Sequence, residues 1–100
     1  MKIVAIAHRS ETHSADDFAP HLAAEANHAL GLYAEEIVRE IYSRADGKGA
    51  VLVLEAKDED AAREILNGLP LAKLGMLTFD IYGTKPYRGK IGRASCRERV

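Results

Sequence analysis

IVREIYSRADGKGAVLVLEA, residues 37–56, is the stretch on which the fold turns. Two runs rich in β-branched and other apolar residues flank Asp46-Gly47-Lys48-Gly49, whose glycines supply the positive φ angles of a tight turn. Residues 37–44 and 50–56 are therefore expected to be the two strands of an antiparallel hairpin. Working backwards, residues 2–8 alternate as an earlier strand, residues 10–14 form a polar loop, and Ser14 or Asp16 caps a helix running to about Tyr33. Phe18, Leu22, Ala26, Ala29 and Tyr33 would be its buried stripe, and Pro20 is tolerated in the first turn. Working forwards, Asp58, Glu59 and Asp60 open a second helix that ends near Asn67-Gly68, followed by Pro70 and a short 71–74 segment. Residues 76–82 alternate as a fourth strand.

The order is β-α-β-β-α-β. Right-handed crossovers convert it into an α+β, ferredoxin-like domain, a four-stranded antiparallel sheet with both helices on one face. Strand alternation assigns Ile3, Ala5, Ala7, Ile37, Ile41, Leu52, Leu54, Leu77, Phe79 and Ile81 to the helix side. The opposite face receives Val4, Ile6, His8, Val38, Glu40, Tyr42, Arg44, Val51, Val53, Glu55, Met76, Thr78, Asp80 and Tyr82. That second face is neither a solvated surface nor a dry core. Apolar walls carrying a few ionisable groups suit a half-buried cavity, closed when a second copy packs its own sheet against the first. A homodimer or higher homo-oligomer, forming a dimeric α/β barrel around a small-molecule ligand, is the expectation.

The chain has 100 residues, a formal net charge of −1 and a single cysteine, Cys96. This is the size of one domain. The charge balance argues against nucleic acid as a partner, since phosphate recognition needs a clustered basic surface. The opening MKIVAIAHRS is too short and too alternating for a secretory signal, and no run approaches the length of a membrane span. The absence of an internal disulfide fits a reducing compartment, and a cytoplasmic location is the expectation. From Lys90 onward the patterning stops. Residues 92–100 resemble a translated read-through of adapter DNA that recurs on unrelated proteins; the other reading is a native, disordered basic tail. The domain is accordingly placed at residues 1–89, with 90–100 a disordered, non-native tail.

The start MKIVAIAH, the segments LY (32–33), IVREIYSR (37–44), GAVLVLE (49–55) and LPL (69–71), and Pro86-Tyr87 resemble the small bacterial proteins of the muconolactone isomerase-like group, within the dimeric α/β-barrel superfamily. The resemblance spans residues 1–89. It implies the barrel fold and, for function, cofactor-independent isomerisation of a small carboxylated or lactone metabolite. The superfamily also contains monooxygenases, dehydratases, haem-degrading enzymes and non-catalytic modules. A related group, the YCII-like proteins, uses a His–Asp pair; His8 and Asp80 are the only such pair on the open face, without that group's motif.

On residue chemistry, Arg44 would hold a substrate carboxylate, Glu40 or Glu55 would move a proton α to a carbonyl, and Tyr42 would position or donate. The plainer reading makes Glu40 and Arg44 a cross-strand or intersubunit ion pair. His8 and Asp80 form a second acid–base candidate if strands one and four bring them together, and otherwise sit solvated at a rim. Tyr87 would close the cavity mouth or anchor the last strand by packing. His21, Glu25 and His28 share one side of the first helix, but a water-facing stripe has no shell to hold a metal, so no metal site is assigned. The sequence offers no Gly-rich phosphate loop, cysteine pair or nucleophile turn, and no cofactor is expected. The rival to catalysis is a non-catalytic ligand-binding or assembly module on the same face. A haem-handling protein would need His8 as axial ligand.

Overall fold

The computed structural model describes residues 1–87. The domain limit at residue 89 and the tail assignment fall outside the described residues. The elements are β1 (Lys2–Arg9), α1 (Ala15–Phe18), a 3-10 turn (Ala19–His21), α2 (Leu22–Ala34), β2 (Val38–Ser43), β3 (Gly49–Glu55), α3 (Glu59–Asn67), α4 (Pro70–Lys73) and β4 (Leu77–Gly83). The four strands form one sheet in the order β2-β3-β1-β4, with each neighbouring pair antiparallel. This is the expected ferredoxin-like α+β architecture: each crossover helix joins strands separated by one other strand.

Local chemistry explains most boundaries. Ser14 and Asp17 form a reciprocal capping box at α1, with the Ser14 Oγ accepting from the Asp17 N–H and the Asp17 carboxylate accepting from the Ser14 N–H. These contacts hold the Asp17 carboxyl below its ordinary value, led by the Ser14 backbone N–H. At α3, the Asp58 carboxylate accepts from the Ala61 N–H at 2.8 Å. The end of α2 is a Schellman turn: Glu36 N–H donates to the Tyr33 carbonyl and Ile37 N–H to the Leu32 carbonyl. It puts Glu36 at φ 64, a left-handed position usually given to glycine. Gly49 is required for a different reason. A Cβ there would lie 1.8 Å from the Ala7 carbonyl oxygen, so only glycine lets β3 approach β1 at this point.

The core lies between the sheet and the helices, where Ile3, Ala5, Ala7, Val38, Leu52 and Leu54 meet Ala62, Leu66 and Leu69. Three expectations need correction. First, Val38 is fully buried on the helix side rather than on the open face. Opposite β3, Val38 pairs with Leu54 and Glu40 with Val53, so Arg39 is an extra residue in a bulge that inverts the alternation before it. Second, Met76 precedes β4 and is buried with Phe18 and Leu71. Third, the first helix is not continuous, and of its expected stripe Phe18 is buried, Ala29 is half-buried, and Leu22, Ala26 and Tyr33 are exposed. Pro20 sits in the 3-10 turn, α2 contains no buried residue, and Leu22 and Tyr33 are 43% and 52% exposed. A cavity of about 310 Å³ separates Ala26 and Ala29 of α2 from Leu52, Leu77 and Phe79 of the sheet.

Candidate active site on the open sheet face

The strand registers lay out the uncovered face as rows. Glu40, Val53, Val4 and Tyr82 make one row, and Tyr42, Val51, Ile6 and Asp80 the next. Val4, Ile6, Val51 and Val53 thus form a half-buried apolar floor at the centre of the sheet. Polar side chains surround it. Lys2 and Glu55 lie opposite each other at one end, and His8 faces Gly49 and Thr78 at the other.

The ionisable groups divide into separate clusters. At the hairpin-turn end, His8 Nε2 lies 2.8 Å from Asp80 Oδ2. The two residues sit on neighbouring strands one step apart diagonally, since Asp80 is opposite Ile6 and His8 opposite Thr78. Such diagonal neighbours are within reach of long side chains. Arg44 Nη1 lies 2.9 Å from the other ring nitrogen, His8 Nδ1, and 3.4 Å from the Ala7 carbonyl oxygen. Arg44 Nη2 donates to Asp46 Oδ2 at 2.6 Å, and the other Asp46 oxygen accepts the Lys48 N–H at 2.8 Å. That backbone donor, followed by the Arg44 guanidinium, holds the Asp46 carboxyl below its ordinary value. One chain of contacts therefore runs Asp80–His8–Arg44–Asp46 and ties β4, β1 and the hairpin turn together.

This chain borders a polar recess of about 650 Å³ between the 10–14 loop and the hairpin turn, lined by His8, Ser10, His13, Arg44, Asp46 and Lys48 among others. His13 Nδ1 is 2.8 Å from Ser10 Oγ. Its walls carry Arg9, Arg44, Lys48 and two imidazoles beside the carboxylates of Glu11 and Asp46, and Asp46 already accepts from Arg44 and the Lys48 N–H, so cationic side chains outnumber carboxylates in the recess.

Glu40 and Tyr42 form the second cluster, on the edge strand. Tyr42 donates its hydroxyl to Glu40 at 2.8 Å, and this bond raises the phenol above its ordinary value, so Tyr42 is held as a neutral hydrogen-bond donor and gives up its proton less readily than a free tyrosine. Within one protomer Glu40 does not pair with Arg44, because four residues along a strand separate them by about 13 Å. Inside the protomer Arg44 meets Asp46 and His8 instead. Glu55 lies 3.5 Å from the terminal amine of Met1, six positions along β3 from Gly49 and thus about 20 Å from the His8 end. Within one protomer it cannot share a substrate atom with His8. Tyr87 follows β4 and is 74% exposed.

On α2, Glu25 caps the start of α4, accepting the Leu71 N–H at 2.9 Å, so it is a structural link and not part of a solvated His/Glu stripe. Among the described residues, no group of three or more His, Cys, Asp or Glu side chains is placed to hold a metal. Both ring nitrogens of His8 are engaged, so axial ligation of a haem would have to break one of the two contacts. No helix of the described residues is long and apolar enough to cross a membrane. Sequence reasoning missed Asp46, read only as a turn residue; an aspartate two residues after an arginine, at the start of a turn, was the available signal.

Sheet order, crossovers and the position of the open face define a muconolactone isomerase-like fold. Two solved structures carry that conclusion. The 5-chloro-2-hydroxyhydroquinone dehydrochlorinase from Burkholderia phenoliruptrix, solved in complex with 2,5-dihydroxybenzoquinone, superposes with a TM-score of 0.71 at 16% identity, over 89% of this chain and 98% of that one. Muconolactone isomerase superposes with a TM-score of 0.70 at 18% identity, over 91% and 95% of the two chains. No family model matches the chain, and no curated protein does.

Proposed function

We propose that the protein is a cofactor-independent proton-transfer catalyst, isomerase-like, acting on a small carboxylated or lactone metabolite in a barrel closed by a second copy of the chain. The observation that carries this reading is the Asp80–His8–Arg44 chain at the border of the recess of about 650 Å³, where Arg44 is one of three cationic side chains against two carboxylates. In this scheme Arg44 binds the substrate carboxylate. His8 takes a proton from the carbon α to a carbonyl, the C–H electron pair passes into the enolate oxygen, and the proton returns at the other end of the conjugated system. Asp80 stabilises the imidazolium formed between the two steps. No electron acceptor is needed, because the proton is relocated and nothing is oxidised. Both neighbours named above act on small ring compounds, which supports the substrate class. The half-buried floor of Val4, Ile6, Val51 and Val53 supports the dimer, since burying it against a second sheet removes apolar surface from water. Glu40, Tyr42 and Glu55 are then assigned to the rim, where the partner's sheet meets this one.

The test is deuterium incorporation from D₂O into muconolactone, followed by proton NMR. The wild-type chain is expected to exchange the carbon-bound proton, and His8→Gln to lower the rate by about 10²–10⁴-fold. Arg44→Met is expected chiefly to weaken substrate binding. One observation favours a second reading: Glu40 and Tyr42 satisfy each other on the edge strand without a ligand. A non-catalytic ligand-binding or assembly module would use the same face, bind the lactone and exchange no proton.

A further inference from the structure

The contact between Arg44 and His8 has a direction. A guanidinium has donors and no acceptor, and it does not lose its proton in proteins. His8 Nδ1, 2.9 Å from Arg44 Nη1, must therefore present a lone pair. The ring is then neutral with its proton on Nε2, and that N–H donates to Asp80 Oδ2 at 2.8 Å. Arg44 and Asp80 select the same tautomer from opposite sides. In the free protein the basic lone pair of His8 is covered by the very residue assigned to bind the substrate's carboxylate. Two more contacts, to Asp46 and the Ala7 carbonyl, hold that cover in place.

We propose that Arg44 is a displaceable cover on His8, withdrawn when a small carboxylate occupies the recess. This rests on the proposed function of the same site and adds its regulation: the base is exposed only when an anionic substrate is present. A carboxylate offers the guanidinium two parallel charge-assisted hydrogen bonds, stronger than one bond to a neutral imidazole. Rotation of the guanidinium towards the ligand breaks the Nη1–Nδ1 bond and leaves the lone pair facing the bound molecule. His8 keeps its Nε2–H bond to Asp80 throughout, so the ring is already oriented when its lone pair is released. A neutral analogue lacking the carboxylate leaves the cover closed, so the site discriminates by availability of the base as well as by affinity.

The experiment is ¹⁵N-resolved imidazole NMR on the full chain, with succinate as the probe, chloride as an ionic-strength control and succinamide as the neutral analogue. In the free protein His8 is expected to show a pyrrole-type Nε2 and a hydrogen-bonded, pyridine-type Nδ1. Succinate should shift Nδ1 saturably towards its unbonded position while Nε2 stays fixed; chloride and succinamide should not. Arg44→Met should show the uncovered Nδ1 signal before any addition and no further change with succinate. Asp46→Asn, which removes the carboxylate competing for the guanidinium, should lower the succinate concentration at half-saturation several-fold. An Nδ1–H tautomer in the free protein overturns the proposal. So does an Arg44→Met spectrum identical to wild type, or no response to succinate at tens of millimolar. Should succinate uncover Nδ1 while no carbon acid exchanges its proton, the catalytic reading fails and the cover stands. If His8 catalyses exchange but its Nδ1 is already free, the reverse holds.

Discussion

Two helices cover the same sheet in different ways. α3 is anchored: Ala62 and Leu66 are fully buried, and Asp58 caps its first turn. α2 is longer but buries no residue, leaves Leu22 and Leu30 substantially exposed, and stands off the sheet over an apolar cavity of about 310 Å³. The two β-α-β halves share a topology, yet one supplies the packing and the other borders the polar recess. Part of the reason is composition. Ala26 and Ala29 face the sheet from α2, and short side chains cannot span the gap that Leu66 fills on the other side. The recess lies in the looser half, where the 10–14 loop leads from β1 towards α2 and lines it beside His8.

The comparison can be broken in order of expected effect. Leu66→Ala should cost about 2–5 kcal/mol, the usual range for a fully buried leucine, whereas Leu22→Ala, 43% exposed, should change stability by no more than about 0.5 kcal/mol. Urea denaturation of both variants measures the contrast, and equal losses would mean that α2 is packed as tightly as α3. Ala29→Leu, projecting into the cavity under α2, is expected to stabilise the chain by about 0.5–2 kcal/mol. A melting temperature that falls would show that the space is already filled. Glu36→Gly should gain up to about 1 kcal/mol by relieving the left-handed φ of 64 at the end of α2. The same change at Glu64, inside α3, should destabilise.

The smallest effect is electrostatic and lies in the recess. The Lys48 N–H and then the Arg44 guanidinium hold the Asp46 carboxyl below its ordinary value. A depressed folded-state value contributes stability that is present above the unfolded value and lost as pH falls through the folded one. The stability difference between wild type and Asp46→Asn should therefore be constant near neutrality and shrink only below about pH 3.8. Chemical denaturation across pH 2–7 checks the sign; a difference that grows on acidification would contradict the assigned contacts.

How much of this was legible beforehand follows from where the information sits. The hairpin, the strand order and the core face were readable because period-two alternation and the Asp46-Gly47 turn are local signals. Val38 was assigned to the wrong face because a single extra residue, Arg39, inverts the pattern, and alternation cannot reveal a bulge that only pairing with β3 creates. The stripe on α2 had the right spacing, but periodicity does not report the distance from a helix to a sheet. At the site, His8 and Asp80 were nameable from their shared face. Their contact depends on a diagonal register between strands 72 residues apart, and the capture of Arg44 by Asp46 on a side-chain choice inside the turn.

The central claim is that the open face of the sheet is the interior of a two-copy barrel. Light scattering of the wild-type chain at tens of micromolar, eluting from a sizing column beside Val53→Lys, addresses it directly. The account predicts twice the chain mass for the wild type and a single-chain mass, with unchanged secondary structure, for the variant. A wild-type monomer that retains proton exchange at that concentration would contradict it.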